Sequence, residues 1–273
     1  SMALAVTSTG LSLGGVVLTP ISAFFITTEG LAFTMPLLGV LLVVTVVPLS
    51  LLMRQAPNVN QSPSVATLEA DTALLKAAVS SQFFRLLAAA YVLIMMAQVG
   101  GIAHLYSRVE LLADFQTAAY AVQALTISSI SGRFIGGWLV SRIPIRWFAL
   151  GNLLLQIVGL TCFALAPSGG LAVLAAGLFG LSVGNLLMTQ PLWLAEVYPP
   201  QIYPRVFARA NAISVMGVAF GPYLLGLIFD ASPGTTYTYA YFVAVASSLA
   251  ALVIVLLASA GPKLPAYRDP TPE

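Results

Sequence analysis

Charge is what this chain lacks. Only 7% of its 273 residues are Asp, Glu, Lys or Arg, against 59% hydrophobic residues and a mean hydropathy of +0.96. A water-soluble domain carries roughly a quarter charged residues, because its surface has to be wetted. That scarcity excludes a soluble globular domain and makes lipid the solvent for most of the chain. The net charge of +2 and the lack of any Lys/Arg cluster exclude nucleic acid as a partner. One cysteine, Cys162, sits in an apolar run, so neither a disulfide framework nor a thiolate metal site is available. The Walker-type, His-Glu-x-x-His and Gly-x-Ser-x-Gly patterns are absent as well, and no enzyme chemistry, cofactor or metal is expected. No signal-peptide pattern opens the chain, and no charged residue precedes Glu29. Nothing orients the first apolar run, an arrangement expected of part of a longer protein.

Long apolar runs are what the chain has. A helix crossing the hydrocarbon core needs about 20 of them in a row. Eight runs separate at polar breaks, near 5–27, 31–53, 86–107, 117–140, 147–167, 171–198, 207–230 and 239–260. Glu29-Gly30, Ser168-Gly169-Gly170, Pro199-Pro200 and Ser232-Pro233-Gly234 supply turn chemistry between them. The runs are continuous rather than alternating, which excludes a β-barrel. With the first helix leaving the inner side, Arg54, Lys76, Arg85, Arg142, Arg146, Arg205, Arg209, Lys263 and Arg268 fall inside and only Arg108 outside. Nine basic residues against one set the orientation. Both termini are expected in the cytoplasm of a multi-pass plasma or inner membrane protein.

Residues 54–85 are the one sizeable polar connection. Arg54 to Ser64 holds two Pro, two Asn and two Gln and reads as an irregular linker. Beyond it, Val65, Leu68, Leu74, Leu75 and Val79 fit a short amphipathic helix with Glu69, Asp71 and Lys76 on its wet side. The expected fold is therefore all-α: two helices (1–53), a cytoplasmic linker (54–85), a six-helix half-bundle (86–261) and a cytoplasmic tail (262–273). Transporters of twelve helices have their long inner loop after the sixth. Read that way, the chain holds the last two helices of a first half and a whole second half. Its missing N-terminal helices become a required partner.

Several motifs carry a resemblance. The first run reads Gly10-Leu-Ser-Leu-Gly14-Gly15 to Pro20; Gly10 and Gly14 clear one helix face and Pro20 permits a bend. The fourth ends Ser131-Gly132-Arg133 to Gly136-Gly137 and Ser141-Arg142-Ile-Pro-Ile-Arg146. The sixth and seventh run from Gly180 through Asn185 and Gln190-Pro191 to Gly217, Gly221-Pro222 and Asp230. In order and spacing these patterns resemble the major facilitator superfamily, most closely its monocarboxylate and oxalate/formate-type branch. The resemblance makes Gly137, Arg142 and Arg146 a cytoplasmic loop motif, with Ser141 where an acidic residue is usual. It makes Gly217, Gly221 and Pro222 a packing and bending element.

Arg133 stands about two turns inside its helix, roughly 10–12 Å at 1.5 Å per residue. A cation there must face a wet cavity, pair with something outside these eight helices, or snorkel inward. The resemblance implies that Arg133 binds an anionic substrate. It also implies an acidic partner one turn earlier, where this chain has Ser129. His104, at the outer end of the third run, is either a proton-coupling residue or a satisfied interfacial histidine. Gln190, followed by Pro191, and Asn185 line a cavity because the helix breaks there, whereas Gln98, Gln123, Asn152 and Asn211 bond between helices. Glu196 reads as an inner cap for Arg205 or Arg209. The expected function is secondary transport of a small organic anion such as a monocarboxylate by alternating access, with proton coupling as an option. The competing reading is a non-transporting, truncated, accessory or sensor membrane protein.

Overall fold

The computed structural model describes residues 18, 21–22, 24–26, 28–52, 65–234, 236–258 and 261. Gly10, Gly14 and Pro20, the 53–64 stretch of the linker and the 262–273 tail lie outside the described residues. The described elements are all helical: α1 (Leu31–Leu51), α2 (Val65–Ser80), α3 (Gln82–Ala103), α4 (Leu105–Leu112), α5 (Phe115–Leu139), α6 (Ile145–Leu165), α7 (Gly169–Val197), α8 (Tyr203–Ala231) and α9 (Thr238–Leu257). They fall into two compact units, a smaller one that holds α1 and ends at residue 69 and a larger one that begins at residue 70.

In the smaller unit the described part of the first expected span is helical and turns into α1 at Gly30, whose φ of 82° is one a side chain would resist. Thr34 donates back to the Gly30 carbonyl at 2.8 Å. Apart from the buried Thr34, α1 is apolar and largely exposed, as suits a helix surrounded by lipid or by other membrane helices.

Six described helices, α1, α3, α6, α7, α8 and α9, are long and apolar enough to cross a membrane. At 25 residues α5 is long enough but is not among them. Its Gln116, Thr117, Gln123, Thr126, Ser128, Ser129, Ser131 and Arg133 make it the polar one, a composition that suits a helix turned toward protein. The third expected span, 86–107, is in fact two helices, because the chain breaks at His104 between α3 and α4.

In the larger unit the helices meet through glycine. Without a hydrophobic drive between helices in lipid, close backbone approach has to supply the packing energy. A methyl on Gly132 of α5 would stand 2.5 Å from the Leu181 carbonyl oxygen of α7. Gly180 presses on the Leu125 carbonyl, Gly184 on that of Ser129, and Gly136 on the Asn185 amide, so one seam welds α5 to α7. A second seam joins α3 to α8, with Gly217 on the Val92 carbonyl and Gly221 on that of Met96, and a methyl on Gly100 would stand 2.9 Å from the Gly221 carbonyl carbon.

Polar staples close the ends. Arg108 of α4 is buried and donates from Nε to Phe163 O at 3.0 Å and from Nη2 to Ala164 O at 2.7 Å. It thereby caps the C-terminus of α6, where unpaired carbonyls attract a cation. At the opposite, basic end Arg146 donates to Leu256 O at 3.0 Å. The Arg142 guanidinium lies 3.7 Å above the Trp138 ring, and Gly137 is buried beside it in α5.

Along α2 the expected wet side is wrong at one residue. Asp71 is buried on the same stripe as Leu74, Leu75 and Ala78, spaced i, i+3, i+4 and i+7, and its Oδ1 has no hydrogen-bond partner among the described residues. The stripe packs against Phe83, Trp193, Tyr198 and Ile202, so helix periodicity carries Asp71 inward with its neighbours. Lys76 does face outward. Glu196 is exposed and pairs with neither Arg205 nor Arg209 among the described residues.

Candidate transport site

Two apolar clusters fill the larger unit, and the order of residues along the helices puts a polar waist between them. On α3 the first cluster ends at Met95 and the second begins at Ala97, next to Gln98; on α6, Gln156 lies between Leu153 and Leu160. On α7, Asn185 lies between Val183 and Leu186; on α9, Ser248 lies between Val245 and Ala251. All four are buried, as are Ser129 and Arg133 of α5. Gln156 donates to Ser248 Oγ at 3.0 Å, and Gln98 reaches the Val183 carbonyl at 3.4 Å. Among the described residues, Gln98 Oε1, Ser129 Oγ, Gln156 Oε1 and Asn185 Oδ1 lack partners. Buried polar atoms left unsatisfied each cost about 1–3 kcal/mol, so a concentration of them marks a layer kept for something other than stability.

Arg133 belongs to this waist. It is among the largest fully buried side chains, at 2% exposure, and its Nε lies 3.5 Å from the Gly184 carbonyl oxygen. A side chain at Gly184 would stand 2.6 Å from Arg133 Cγ, so the arginine passes over α7 only because residue 184 is glycine.

Toward the basic end, α3, α7 and α8 enclose a pocket of about 240 Å³ lined by Tyr91, Met95, Leu187, Gln190, Phe207, Asn211, Ser214, Val215 and Val218. Its polar groups are all neutral. Gln190 donates to Ser214 Oγ at 2.9 Å, Ser214 donates to Ala210 O at 2.9 Å, and Tyr91 donates to Leu186 O at 3.3 Å. Two prolines enrich the wall. Pro191 and Pro222 have no N–H, so Leu187 and Val218, four residues before them, lose the usual helical donor to their carbonyls. Both residues line the pocket.

The structure thus separates the residues expected to act together. Gln190 lies in the neutral pocket, while Asn185, five residues earlier and about 140° around the helix, lines another cavity with Asn152, Gly132 and Gly136. Arg133 lines neither. His104 is remote from all three: its Nε2 bonds the Pro222 carbonyl oxygen at 2.9 Å, in space left by Gly226, and its ring lies 5.3 Å from that of Tyr237. A carbonyl only accepts, so Nε2 carries the proton. Sequence reasoning missed Tyr91 and Ser214, single hydroxyls among many. It had a signal it did not use in the carbonyl four residues before each proline.

A family model described as Major Facilitator Superfamily matches residues 108–273. The chain belongs to the major facilitator superfamily. Inositol transporter 4 of Arabidopsis thaliana is 29% identical over 114 residues, 42% of this chain and 19% of that protein. The probable inositol transporter 2 of the same plant is 30% identical over 136 residues, 50% of this chain and 23% of the relative. The galactose-proton symporter of Escherichia coli K12 is 27% identical over 121 residues, 43% of this chain and 26% of the relative. These matches span only about a fifth to a quarter of each relative. The superfamily fold is seen again in the Escherichia coli fucose:proton symporter, with a TM-score of 0.63 at 14% identity over 86% of this chain and 55% of that one. The relatives are transporters rather than enzymes, and the chain is an all-helical, multi-pass member of their superfamily. The monocarboxylate branch gains no support from these relatives, whose names specify inositol and galactose.

Proposed function

We propose that the chain forms one wall, and part of the opposing half, of a secondary transporter for a small neutral polyol or sugar, driven by alternating access. The observation that carries this reading is the neutral pocket between α3, α7 and α8. A polyhydroxylated solute needs many donors and acceptors and no countercharge, and the pocket offers Tyr91, Gln190, Asn211, Ser214 and the proline-released carbonyls of Leu187 and Val218. The inositol and galactose named for its relatives point the same way. The opposing wall comes from N-terminal helices of the same protein, consistent with the fold match spanning 55% of the fucose symporter. Both termini lie in the cytoplasm in this reading, which follows the basic end of the bundle.

A small organic anion is the second reading, favoured by the buried Arg133 cation. Uptake of labelled inositol, galactose and lactate by cells expressing the complete gene product separates the two. In the polyol reading Gln190→Ala raises KM for inositol or galactose about five- to tenfold, the loss of a buried hydrogen bond of about 1–1.5 kcal/mol, and lactate is not carried. Saturable lactate uptake abolished by Arg133→Ala, in protein that still reaches the membrane, would instead establish the anion. Proton coupling through His104 predicts that His104→Gln leaves downhill exchange intact and abolishes uptake driven by a pH gradient.

A further inference from the structure

The basic end carries a groove that the transport site does not use. Thr72, Leu75, Lys76, Val79 and Ser80 of α2 and Arg209 of α8 line a cavity of about 420 Å³. Two cations face it, and among the described residues no carboxylate does. Lys76 and Arg209 are exposed, and neither pairs with a carboxylate or hydrogen-bonds another group among the described residues. Asp71, the nearest acid along α2, is turned into the packed face with Leu74 and Leu75.

Position gives the groove its depth. Ser81 lies between α2 and α3 in extended conformation, and its Oγ caps α3 by accepting from Phe84 N at 3.2 Å. Tyr198, at the end of α7, donates its hydroxyl to Ala78 O at 3.4 Å. Both hold α2 at the level where α3 begins and α7 ends. Arg209 stands six residues into α8, about 9 Å along its axis. The groove therefore lies at the end of the bundle where α3 begins and α7 ends, lined by two cations and by the apolar Leu75 and Val79.

We propose that this groove binds the headgroup of an anionic phospholipid of the leaflet at the basic end. The phosphate sits between Lys76 and Arg209, and the first acyl carbons lie on Leu75 and Val79. A free phosphate would use the cations but not the apolar floor, and that floor favours a lipid as occupant. Long basic side chains at this depth are the groups that attract anionic headgroups.

Native mass spectrometry of the purified chain in detergent, with phosphatidylglycerol or phosphatidylcholine added, tests the assignment. Phosphatidylglycerol is expected to stay bound and phosphatidylcholine to be lost. Lys76→Ala with Arg209→Ala should weaken phosphatidylglycerol binding about 30-fold. Arg205→Ala, which removes an exposed cation from the same end but outside the groove, should leave binding unchanged. Exchanging the cations (Lys76→Arg with Arg209→Lys) should preserve binding, and Lys76→Gln alone should lower it severalfold if the double alanine variant does not fold. Equal losses from Arg205→Ala and the double variant would overturn the site in favour of diffuse attraction. Full displacement of the lipid by 10 mM inorganic phosphate would overturn the lipid as its occupant.

Discussion

Glycine 132 offers a test of how the bundle is held together. A Cβ built there lies 2.5 Å from the Leu181 carbonyl oxygen and 3.1 Å from its carbonyl carbon and Cα. Ordinary contact begins at 3.4 Å, so in Gly132→Ala the backbones of α5 and α7 must part by nearly an ångström. A gap of that size forfeits a quarter to a half of each local dispersion contact along the seam, and forced overpacking costs about 1–3 kcal/mol. Alanine also favours the helix by about 1 kcal/mol over glycine, which works the other way. Gly151 of α6 isolates the packing contribution, because a Cβ there meets nothing within 4 Å. Gly151→Ala should be neutral or stabilising by up to about 1 kcal/mol. The two variants share the propensity gain, so the difference between them, about 1–3 kcal/mol, is the cost of prising α5 from α7. Reversible unfolding of the purified chain by SDS titration, followed through Trp138, Trp147 and Trp193, reads that difference. A Gly132→Ala chain as stable as Gly151→Ala would refute the claim that backbone approach, and not side-chain contact, holds these helices.

Arg108→Met should destabilise by about 2–3 kcal/mol, since it removes both donors from the last carbonyls of α6; Arg108→Lys should recover only part, having no planar fork to serve two carbonyls, and thermal unfolding in detergent measures both. Tyr241→Phe should cost about 1 kcal/mol by leaving the Gly101 carbonyl without its 2.7 Å partner, read in the same assay. Asp114 caps α5 through Thr117 N at 2.9 Å and Thr117 Oγ1 at 2.8 Å, and the backbone bond first, then the hydroxyl, holds its carboxyl below the usual range. Its contribution is therefore present above the ordinary carboxylate pKa and fades as pH falls through the lowered one. Asp114→Asn should flatten the acid limb of the stability–pH curve by lowering the neutral plateau toward the acid value, leaving stability at the acid end nearly as it was.

The scarcity of charge by itself determined that the chain lives in lipid, and the apolar runs fixed where α1, α3, α6, α7, α8 and α9 fall to within a few residues. Turn chemistry at Gly30, Ser168 and Pro199-Pro200 fixed their breaks, because a helix end needs a cap or a residue that cannot continue it. Glycine spacing at 217 and 221 told which face of α8 could approach a neighbour, though not that the neighbour was α3. The tertiary structure alone decided the rest. In a chain apolar on nearly every face, the contrast that points a soluble helix inward is missing, so one helix cannot reveal which side meets protein. Gln190 finds Ser214 twenty-four residues away, Arg108 finds Phe163 fifty-five away, and Arg133 crosses α7 at Gly184 fifty-one away. Asp71 goes inward because three apolar neighbours on its stripe do. Charge told the chain where it belonged, but only the packing of helix on helix told its few polar side chains which of them share a pocket.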